Sequence, residues 1–207
     1  MNSLTRDGVA PPPLPSDQQS KIAGVALDLF LEHGYDATPM SLVAKHTGMT
    51  KAGVYYYFEN KEHLLYFIHK RHIDRLLLPQ IATATQEIDP EKRLRKFLGD
   101  YALMHTQDPS LRVLINETKQ LSSEHAKEIL DVWRLSFHLV RDAIAELQRQ
   151  GRCGSQIVPT YSAFAAIGMC SWICNWFDHS RPESGPEVAR TMVEGFLHGL
   201  LTRVENQ

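Results

Sequence analysis

The feature that most constrains the fold of this chain is a pair of short helical patterns that meet at Gly48. They lie within residues 38–64, TPMSLVAKHTGMTKAGVYYYFENKEHL. Met40, Val43 and Ala44 share one face at helical spacing, and a second short pattern follows the glycine. Glycine adopts the left-handed backbone of a sharp interhelical turn without steric cost. Two short helices joined by such a turn predict a helix-turn-helix, an arrangement that places a helix in the major groove of DNA.

Polar residues placed just before each apolar pattern predict where the helices of this segment begin. The Thr38 hydroxyl is expected to cap the first helix, because Pro39 suits the position that follows a cap. Thr50 is expected to cap the second helix, which runs over residues 51–58, and Asn60 is expected to cap a third. The second helix is too short and too polar to be stable alone, so it must be anchored to the rest of its domain.

The second helix carries most of the residues expected to contact DNA. Val54 and Phe58, spaced i and i+4, are expected to anchor it, and Ala52 and Gly53 would let its backbone approach a partner. The opposite face can donate hydrogen bonds to phosphates or pack on sugars and thymine methyls. Lys61, in the first turn of the next helix, opposes the helix dipole unless a phosphate lies nearby. The exposed face comprises Lys51, Tyr55, Tyr56 and Tyr57.

Residues 22–65 resemble the N-terminal DNA-binding domain of the tetracycline-repressor (TetR) family. The resemblance covers about the first third of the chain and includes LDLFLEHGYDATPMSLVAKHTGMTKAGVYYYFENKEHLL. The matching positions are Phe30, Gly34, Tyr35, Thr38, Ala44, Gly48, Lys51, Tyr55, Tyr56, Phe58, Lys61, Glu62 and Leu64. The resemblance implies an all-helical homodimer with a ligand-sensing domain behind the DNA-binding domain.

The resemblance also assigns roles to individual residues. It implies that contacts to the DNA backbone come from Thr38, Tyr56 and Lys61. It implies that bases are read by Lys51, Ala52, Gly53 and Tyr55. Tyr57 departs from the family, which often has histidine there, although a tyrosine can also donate a hydrogen bond to a phosphate.

Proline, glycine and polar caps divide the chain into predicted helices, and no β-hairpin pattern interrupts them. The prediction is an all-α protein in three parts: a flexible, proline-rich N-terminal arm over residues 1–17, a three-helix helix-turn-helix domain over 18–65, and a helical ligand-binding and dimerisation domain over 66–207. Pro79 is expected to kink or end the helix that begins at Lys61. Ser123 is expected to cap a long helix that Gly151 ends.

The charge of the chain argues against a protein that coats nucleic acid generally. The formal net charge is −2, and residues 19–75 contain seven basic and six acidic side chains. Nonspecific attraction to DNA is therefore expected to be modest, so a few placed donors must supply the affinity. No signal peptide or membrane-spanning run is evident, which predicts a soluble, cytoplasmic protein with no membrane partner.

The predicted helix over residues 159–178, PTYSAFAAIGMCSWICNWFD, is apolar nearly all round. Such a helix must be buried on more than one side. One side can face its own domain and the other a second copy of the chain. We expect it to pair with the last helix, which carries Gly195 and Gly199, in a four-helix interface of a homodimer.

Aromatic side chains of the second domain are candidates to line a cavity for a small-molecule effector. Binding pockets combine an apolar lining with a few polar groups, although large apolar side chains are most often ordinary core. The effector is expected to be bulky and apolar or amphipathic. An acyl-coenzyme A is one such class, and the resemblance includes members that bind these thioesters. The candidate lining residues are Phe67, Tyr101, Met104, Asn116, Trp133, Phe137, Phe164, Met169, Trp172 and Trp176.

Two further clusters have a structural and a functional interpretation. Cys170 and Cys174 could bind a soft metal with His179, but buried apolar cysteines are favoured and no metal or cofactor is predicted. The cluster His63, His69, Lys70, Arg71 and His72 could sense pH or approach phosphates, but a solvated helix face is favoured.

No motif of nucleophilic, phosphate-binding or dinucleotide-binding sites is present in the sequence, so an enzyme is not predicted. The sequence therefore predicts a ligand-responsive transcriptional repressor that an effector releases from a palindromic operator in double-stranded DNA. The alternative is a helical small-molecule-binding or catalytic protein that uses its first domain structurally.

Overall fold

The structure is a computed structural model that describes residues 16–200, and over this range it is helical with no β-strand. The all-α prediction is confirmed. The predicted arm lies outside the described residues except for its last two positions, as do residues 201–207. The helices are α1 (Asp17–His33), α2 (Met40–Thr47), α3 (Lys51–Tyr57), α4 (Lys61–His72), α5 (Leu78–Thr85), α6 (Pro90–Gln107), α7 (Leu111–Glu117), α8 (Ser123–Arg149), α9 (Pro159–Trp176) and α10 (Gly185–Leu200).

The turn between α2 and α3 has the predicted geometry. Gly48 adopts a left-handed conformation with φ of 69° and ψ of 22°. The Thr50 hydroxyl then accepts a hydrogen bond from the backbone N–H of Gly53 at 3.0 Å. The Asn60 side chain accepts one from the N–H of His63 at 2.7 Å. Both capping predictions are confirmed, because a cap depends only on residues within one turn of it.

The beginning of α2 differs from the prediction. The Thr38 hydroxyl does not cap α2 but donates hydrogen bonds to the carbonyl oxygens of Gly34 at 2.8 Å and Leu29 at 3.3 Å. Pro39 occupies the cap position, and no side chain bonds to the first turn. Gly34 has a φ of 84°, and this turn after α1 brings its carbonyl within reach of the buried threonine.

Pro79 does not end its helix. The chain stays helical from Lys61 to Thr85, and α4 and α5 are joined by one π-helical segment, Ile73–Leu77. The N–H of Leu78 bonds to the carbonyl oxygen of Ile73, five residues earlier. The wider turn accommodates a proline that has no N–H and whose ring would crowd the preceding carbonyl.

The second half of the chain is built around α6, which packs against α8, α9 and α10. Asp89 caps α6, and α8 is capped by Ser122, one residue before the predicted Ser123. Gly151 follows α8 with a φ of 71°. A continuous buried cluster joins α1–α4 to α6–α10, and the predicted boundary between residues 65 and 66 falls inside α4. None of the helices described is long and apolar enough to cross a membrane.

Candidate functional site

The surface of α3 brings together most of the predicted DNA-contacting residues. Val54 and Phe58 are buried and anchor the helix, as predicted. Tyr56 is 84% exposed and its ring meets that of Tyr57 edge-on at 5.1 Å between centroids. The side chain of Lys51 lies over the ring of Tyr55, with Nζ 5.7 Å from its centroid. The exposed face therefore offers an ammonium group and phenol hydroxyls, which are donors suited to phosphate and base edges.

Gly53 has an internal role in addition to any contact with a partner. A Cβ atom at this position would lie 3.2 Å from the Thr50 hydroxyl and 3.3 Å from the Met49 side chain. The glycine thus lets the Thr50 cap form and lets Met49 pack beneath the helix. Ala52 precedes it on the exposed face.

Lys61 is engaged within the protein. Its Nζ donates a hydrogen bond to the carbonyl oxygen of Tyr35 at 2.8 Å and lies 4.1 Å from the centre of the Tyr35 ring. The lysine therefore ties the first turn of α4 to the turn after α1. The sequence suggested a phosphate partner because a cation interacts unfavourably with the N-terminal end of the helix dipole. In the structure the Tyr35 carbonyl and ring offset that unfavourable interaction.

Thr38 cannot contact a phosphate in this conformation, because its side chain is fully buried. The resemblance to the family implied a contact with the DNA backbone at this position, but here the hydroxyl bonds to carbonyl oxygens of the protein itself. The structure therefore places six of the eight predicted DNA-contacting residues on α3, and assigns Thr38 and Lys61 to the connection of α1 with α2 and α4.

Two adjoining cavities lie inside the second domain. The larger, of about 110 Å³, lies among α6, α7, α8 and α9 and is lined by Tyr101, Ile115, Trp133, Ser136, Ile167 and Ser171. The smaller, of about 30 Å³, shares Tyr101, Ile115 and Trp133 with it and extends past Met104 towards α4. Three predicted lining residues, Tyr101, Met104 and Trp133, therefore line these cavities.

The other predicted lining residues lie elsewhere. Phe164 and Trp172 are 63% and 64% exposed on the outer face of α9, and Trp176 is half exposed. Phe137 packs on Phe164 with 4.5 Å between ring centroids, and Phe67 packs on Phe58 at 5.2 Å. Asn116 and Met169 line neither cavity. A helix that is apolar all round gives no periodicity from which to read which aromatic side chains face inwards.

The cavities are lined by buried polar groups as well as apolar ones. His69 and His105 are buried beside the smaller cavity, and burial lowers the pKa of each to about 4. His69 Nε2 and the Ser136 hydroxyl have no hydrogen-bond partner among residues 16–200. Unpartnered buried polar atoms are uncommon in proteins and suit a polar group of a ligand. The favoured interpretation of residues 63–72 as a solvated face is wrong for His69.

Tyr101 contacts polar side chains on both sides of the cavities, Ser171 on α9 and His105 on α6. Its hydroxyl lies 2.9 Å from the Ser171 hydroxyl, and its backbone carbonyl lies 2.7 Å from Nδ1 of His105. Cys170, on the same stretch of α9, is fully buried, and burial raises the pKa of its thiol to about 12. Cys174 is also buried, as the favoured interpretation predicted. A neutral buried thiol behaves as a small apolar side chain.

The N-terminal half of α4 is joined to the beginning of α8. Glu62 Oε1 accepts hydrogen bonds from the Ser122 N–H and from His125 Nδ1, each at 2.8 Å. Burial raises the pKa of Glu62, but these two hydrogen bonds outweigh it and hold the pKa below its ordinary value. The ring of Tyr66 stacks on that of His125 at 3.8 Å between centroids. These contacts join α8 directly to α4, which packs on α1.

Two family profiles match the chain. The profile described as "Bacterial regulatory proteins, tetR family" matches residues 22–66. The profile described as "Tetracyclin repressor-like, C-terminal domain" matches residues 87–200, which is more than half of the chain.

Individual proteins are similar over much of the chain. A tetR-family regulatory protein from Rhodococcus RHA1 superposes with a TM-score of 0.81 at 25% identity, over 89% of this chain and 97% of its own. AibR, in complex with isovaleryl coenzyme A and operator DNA, gives 0.76 at 26% identity, over 89% and 98%. A fatty acid metabolism regulator protein from Bacillus subtilis (strain 168) is 26% identical over 120 residues, 54% of this chain and 62% of that protein. The chain spans less than two thirds of the length of the curated relatives it matches.

Proposed function

The chain belongs to the tetR family of bacterial regulatory proteins, and from this premise we propose that it is a ligand-responsive, DNA-binding transcriptional repressor that acts as a homodimer. The observation that carries the proposal is the α3 surface. It presents Lys51, Tyr55 and Tyr56 to solvent on a helix too short to be stable without its buried anchor. Exposed aromatic side chains next to a cation contribute little to folding but suit a nucleic-acid partner.

The exposed face of α9 supports the homodimer. Tyr161, Phe164 and Trp172 are each more than three fifths exposed and follow one side of this helix. Large apolar patches on a soluble protein mark interaction sites. A second copy of the chain is the partner that would set two α3 helices at a fixed separation, as a palindromic operator requires.

The cavities support an effector with apolar and polar parts. Trp133, Ile115 and Ile167 supply the apolar wall, and His69 and Ser136 supply unpartnered polar atoms. AibR binds isovaleryl coenzyme A, which makes an acyl-coenzyme A the effector class we favour. Such a ligand releases the operator only if it binds one arrangement of the helices more tightly than the other.

The proposal is tested by electrophoretic mobility shift with genomic fragments at a series of salt concentrations. We expect binding to a palindromic site that weakens steeply as salt rises, since phosphate contacts release counterions. Failure of any fragment to shift at low salt would favour the alternative, a protein that uses its first domain structurally.

A pair of conservative variants tests the role of α3. Tyr56→Phe removes one exposed hydroxyl and is expected to weaken binding to all fragments by a similar factor, as loss of a phosphate contact does. Tyr55→Ala is expected to change the preferred bases. Equal losses across all sequences for both variants would contradict the assignment of base contacts to Tyr55. Thermal unfolding of each variant serves as the control for folding.

A further inference from the structure

A cleft of about 370 Å³ lies between α1, α4 and α7, outside the residues predicted to bind an effector. Arg71 and Arg75, four residues apart, line it, and neither forms an ion pair with any side chain in residues 16–200. Burial and the neighbouring charge of Arg75 lower the pKa of Arg71. Two cations that repel each other across an open cleft favour an anionic partner.

The acidic group that lines the cleft does not neutralise this pair. Asp108 also lines it, but it is one carboxylate beside two guanidinium groups and forms no ion pair with either arginine within residues 16–200. Arg71 makes one long hydrogen bond, of 3.4 Å, to the carbonyl oxygen of Ser20 on α1. The cleft therefore keeps an excess of positive charge beside apolar side chains. These are Ala23, Leu27, Ile68, Leu76 and Leu114.

The cleft adjoins the two cavities of the second domain. It shares His72 and Leu114 with the smaller cavity, which in turn shares Tyr101, Ile115 and Trp133 with the larger one. Together these three neighbouring spaces, called the path, extend from α1 to α9. Unpartnered polar atoms mark its length: His72 Nε2 near the cleft, His69 Nε2 in the middle and the Ser136 hydroxyl at the far end.

We propose that this path binds a single linear, amphipathic anion. Its phosphate or carboxylate head lies between Arg71 and Arg75, and its apolar chain runs past Leu114 into the cavity beside Trp133 and Ile167. Arginine pairs with both kinds of head through its planar, forked donors. The inference rests on the proposed function and narrows it, because it makes one ligand touch the sensing domain and helix α1 of the DNA-binding domain together.

In this conformation the middle of the path, which is the smaller cavity, is too narrow for an acyl chain. Its volume of about 30 Å³ has room for only one or two water molecules, since a cavity needs roughly 10–15 Å³ to hold one. Entry of an acyl chain must therefore widen it. One wall is the π-helical segment, which contributes Ile73 and Leu77 to the inner cavity and Arg75 and Leu76 to the cleft. A π-helical turn can change its hydrogen-bond register, and such a change would move α4 against α1.

The test is isothermal titration calorimetry of the full chain with dodecanoyl-coenzyme A, dodecanoate and coenzyme A without an acyl chain. We expect the two chain-bearing ligands to bind more tightly than free coenzyme A. Tighter binding of the thioester assigns the head to phosphate, and tighter binding of dodecanoate assigns it to carboxylate. If free coenzyme A binds as tightly as its thioester, the acyl group does not contribute to binding, and the proposed path for it is contradicted.

Two variants test separately the contact with the ligand's anionic head group and the occupancy of the cleft. Arg75→Gln is expected to weaken binding by about tenfold or more, as loss of a charge-assisted hydrogen bond does. Gly24→Phe fills the cleft from α1, where a Cβ atom would meet no atom within 4 Å, so it should abolish binding without disturbing the core. Arg141→Gln, on α8, is the matched control and should bind as the unaltered chain does.

A ligand with a shorter acyl chain tests the far end of the path. Ser136→Val narrows the larger cavity and is expected to weaken binding of dodecanoyl-coenzyme A more than that of butanoyl-coenzyme A. Unchanged affinity in both Arg75→Gln and Gly24→Phe would overturn the proposal. Mobility shifts are measured on the same preparations: loss of ligand binding with intact DNA binding contradicts only this inference, whereas no DNA binding by the unaltered chain contradicts the proposed function.

Discussion

At the scale of single residues, Thr38 and Lys61 show how a side chain suited to DNA can instead hold the protein together. Thr38 bonds the turn after α1 from a fully buried position, and Lys61 bonds the Tyr35 carbonyl in the same turn. The two residues fix the position of α2 and α4 relative to α1. Orientation of α3 depends on that arrangement, since α2 packs on both α1 and α3.

Replacing Thr38 by valine removes the hydroxyl and keeps the shape of the side chain. We expect Thr38→Val to lower the free energy of unfolding by about 1 to 2 kcal/mol, because the carbonyl of Gly34 loses a buried donor. Urea denaturation measures this change. An unchanged free energy with weaker DNA binding would instead show that the hydroxyl acts on the DNA.

Lys61→Ala is expected to have two effects. The free energy of unfolding should fall by about 1 kcal/mol, from loss of the hydrogen bond and of the contact with the Tyr35 ring. DNA binding should weaken by a similar factor for every sequence, because the change displaces the whole domain. Urea denaturation and mobility shifts on two unrelated fragments check these outcomes, and full stability in the variant would contradict the structural role.

Which residue roles could be predicted depended on how local they are. The caps at Thr50 and Asn60 were predicted correctly, since each bonds within its own first turn. The hydroxyl of Thr38 was assigned wrongly, because its partner Gly34 precedes it in a turn whose shape is set by tertiary packing. The exposure of Trp172 was also missed, since nothing in an all-apolar helix distinguishes its inner from its outer face.

At the scale of helical elements, the sequence predicted an irregularity in the helix at Pro79 but did not predict that it would be a π-helical segment. We expect Pro79→Ala to let residues 73–79 form a regular α-helix, because alanine restores an N–H able to bond the Arg75 carbonyl. Amide hydrogen exchange should then show protection at residue 79, with no fall in the midpoint of thermal unfolding. A rapidly exchanging amide there would show that cavity-facing residues, not the proline, maintain the π-helical turn.

The start of α6 predicts a dependence of stability on pH. The ion pair with Arg152, at 2.6 Å, and the hydrogen bond from the Lys92 N–H lower the pKa of Asp89. A lowered pKa contributes stability above the unfolded-state value, about pH 4, and this contribution is lost as pH falls through the folded-state value.

Asp89→Asn separates charge from capping, because asparagine also caps helices well. In urea denaturation between about pH 6 and about pH 3, the variant should lose less stability than the unaltered chain. Identical slopes for the two proteins would show that Asp89 contributes nothing to acid sensitivity.

At the scale of the whole molecule, the exposed face of α9 predicts the state of assembly. Trp172→Lys places a charge on this face and is expected to convert the dimer into a monomer, which light scattering detects. Ile88→Lys is the matched control, because Ile88 is 89% exposed but lies far along the chain from α9, before α6. A monomeric unaltered chain at micromolar concentration, or an unaffected dimer in Trp172→Lys, would contradict the proposed interface.

The proposed dimer through the aromatic face of α9 would also make DNA occupancy depend on how much protein a cell contains. Below the dissociation constant of the dimer, the concentration of dimer follows the square of the protomer concentration. A twofold change in gene dosage would then change the operator-binding species roughly fourfold. A promoter under such control would respond steeply to protein synthesis and to dilution at cell division, even with no effector present.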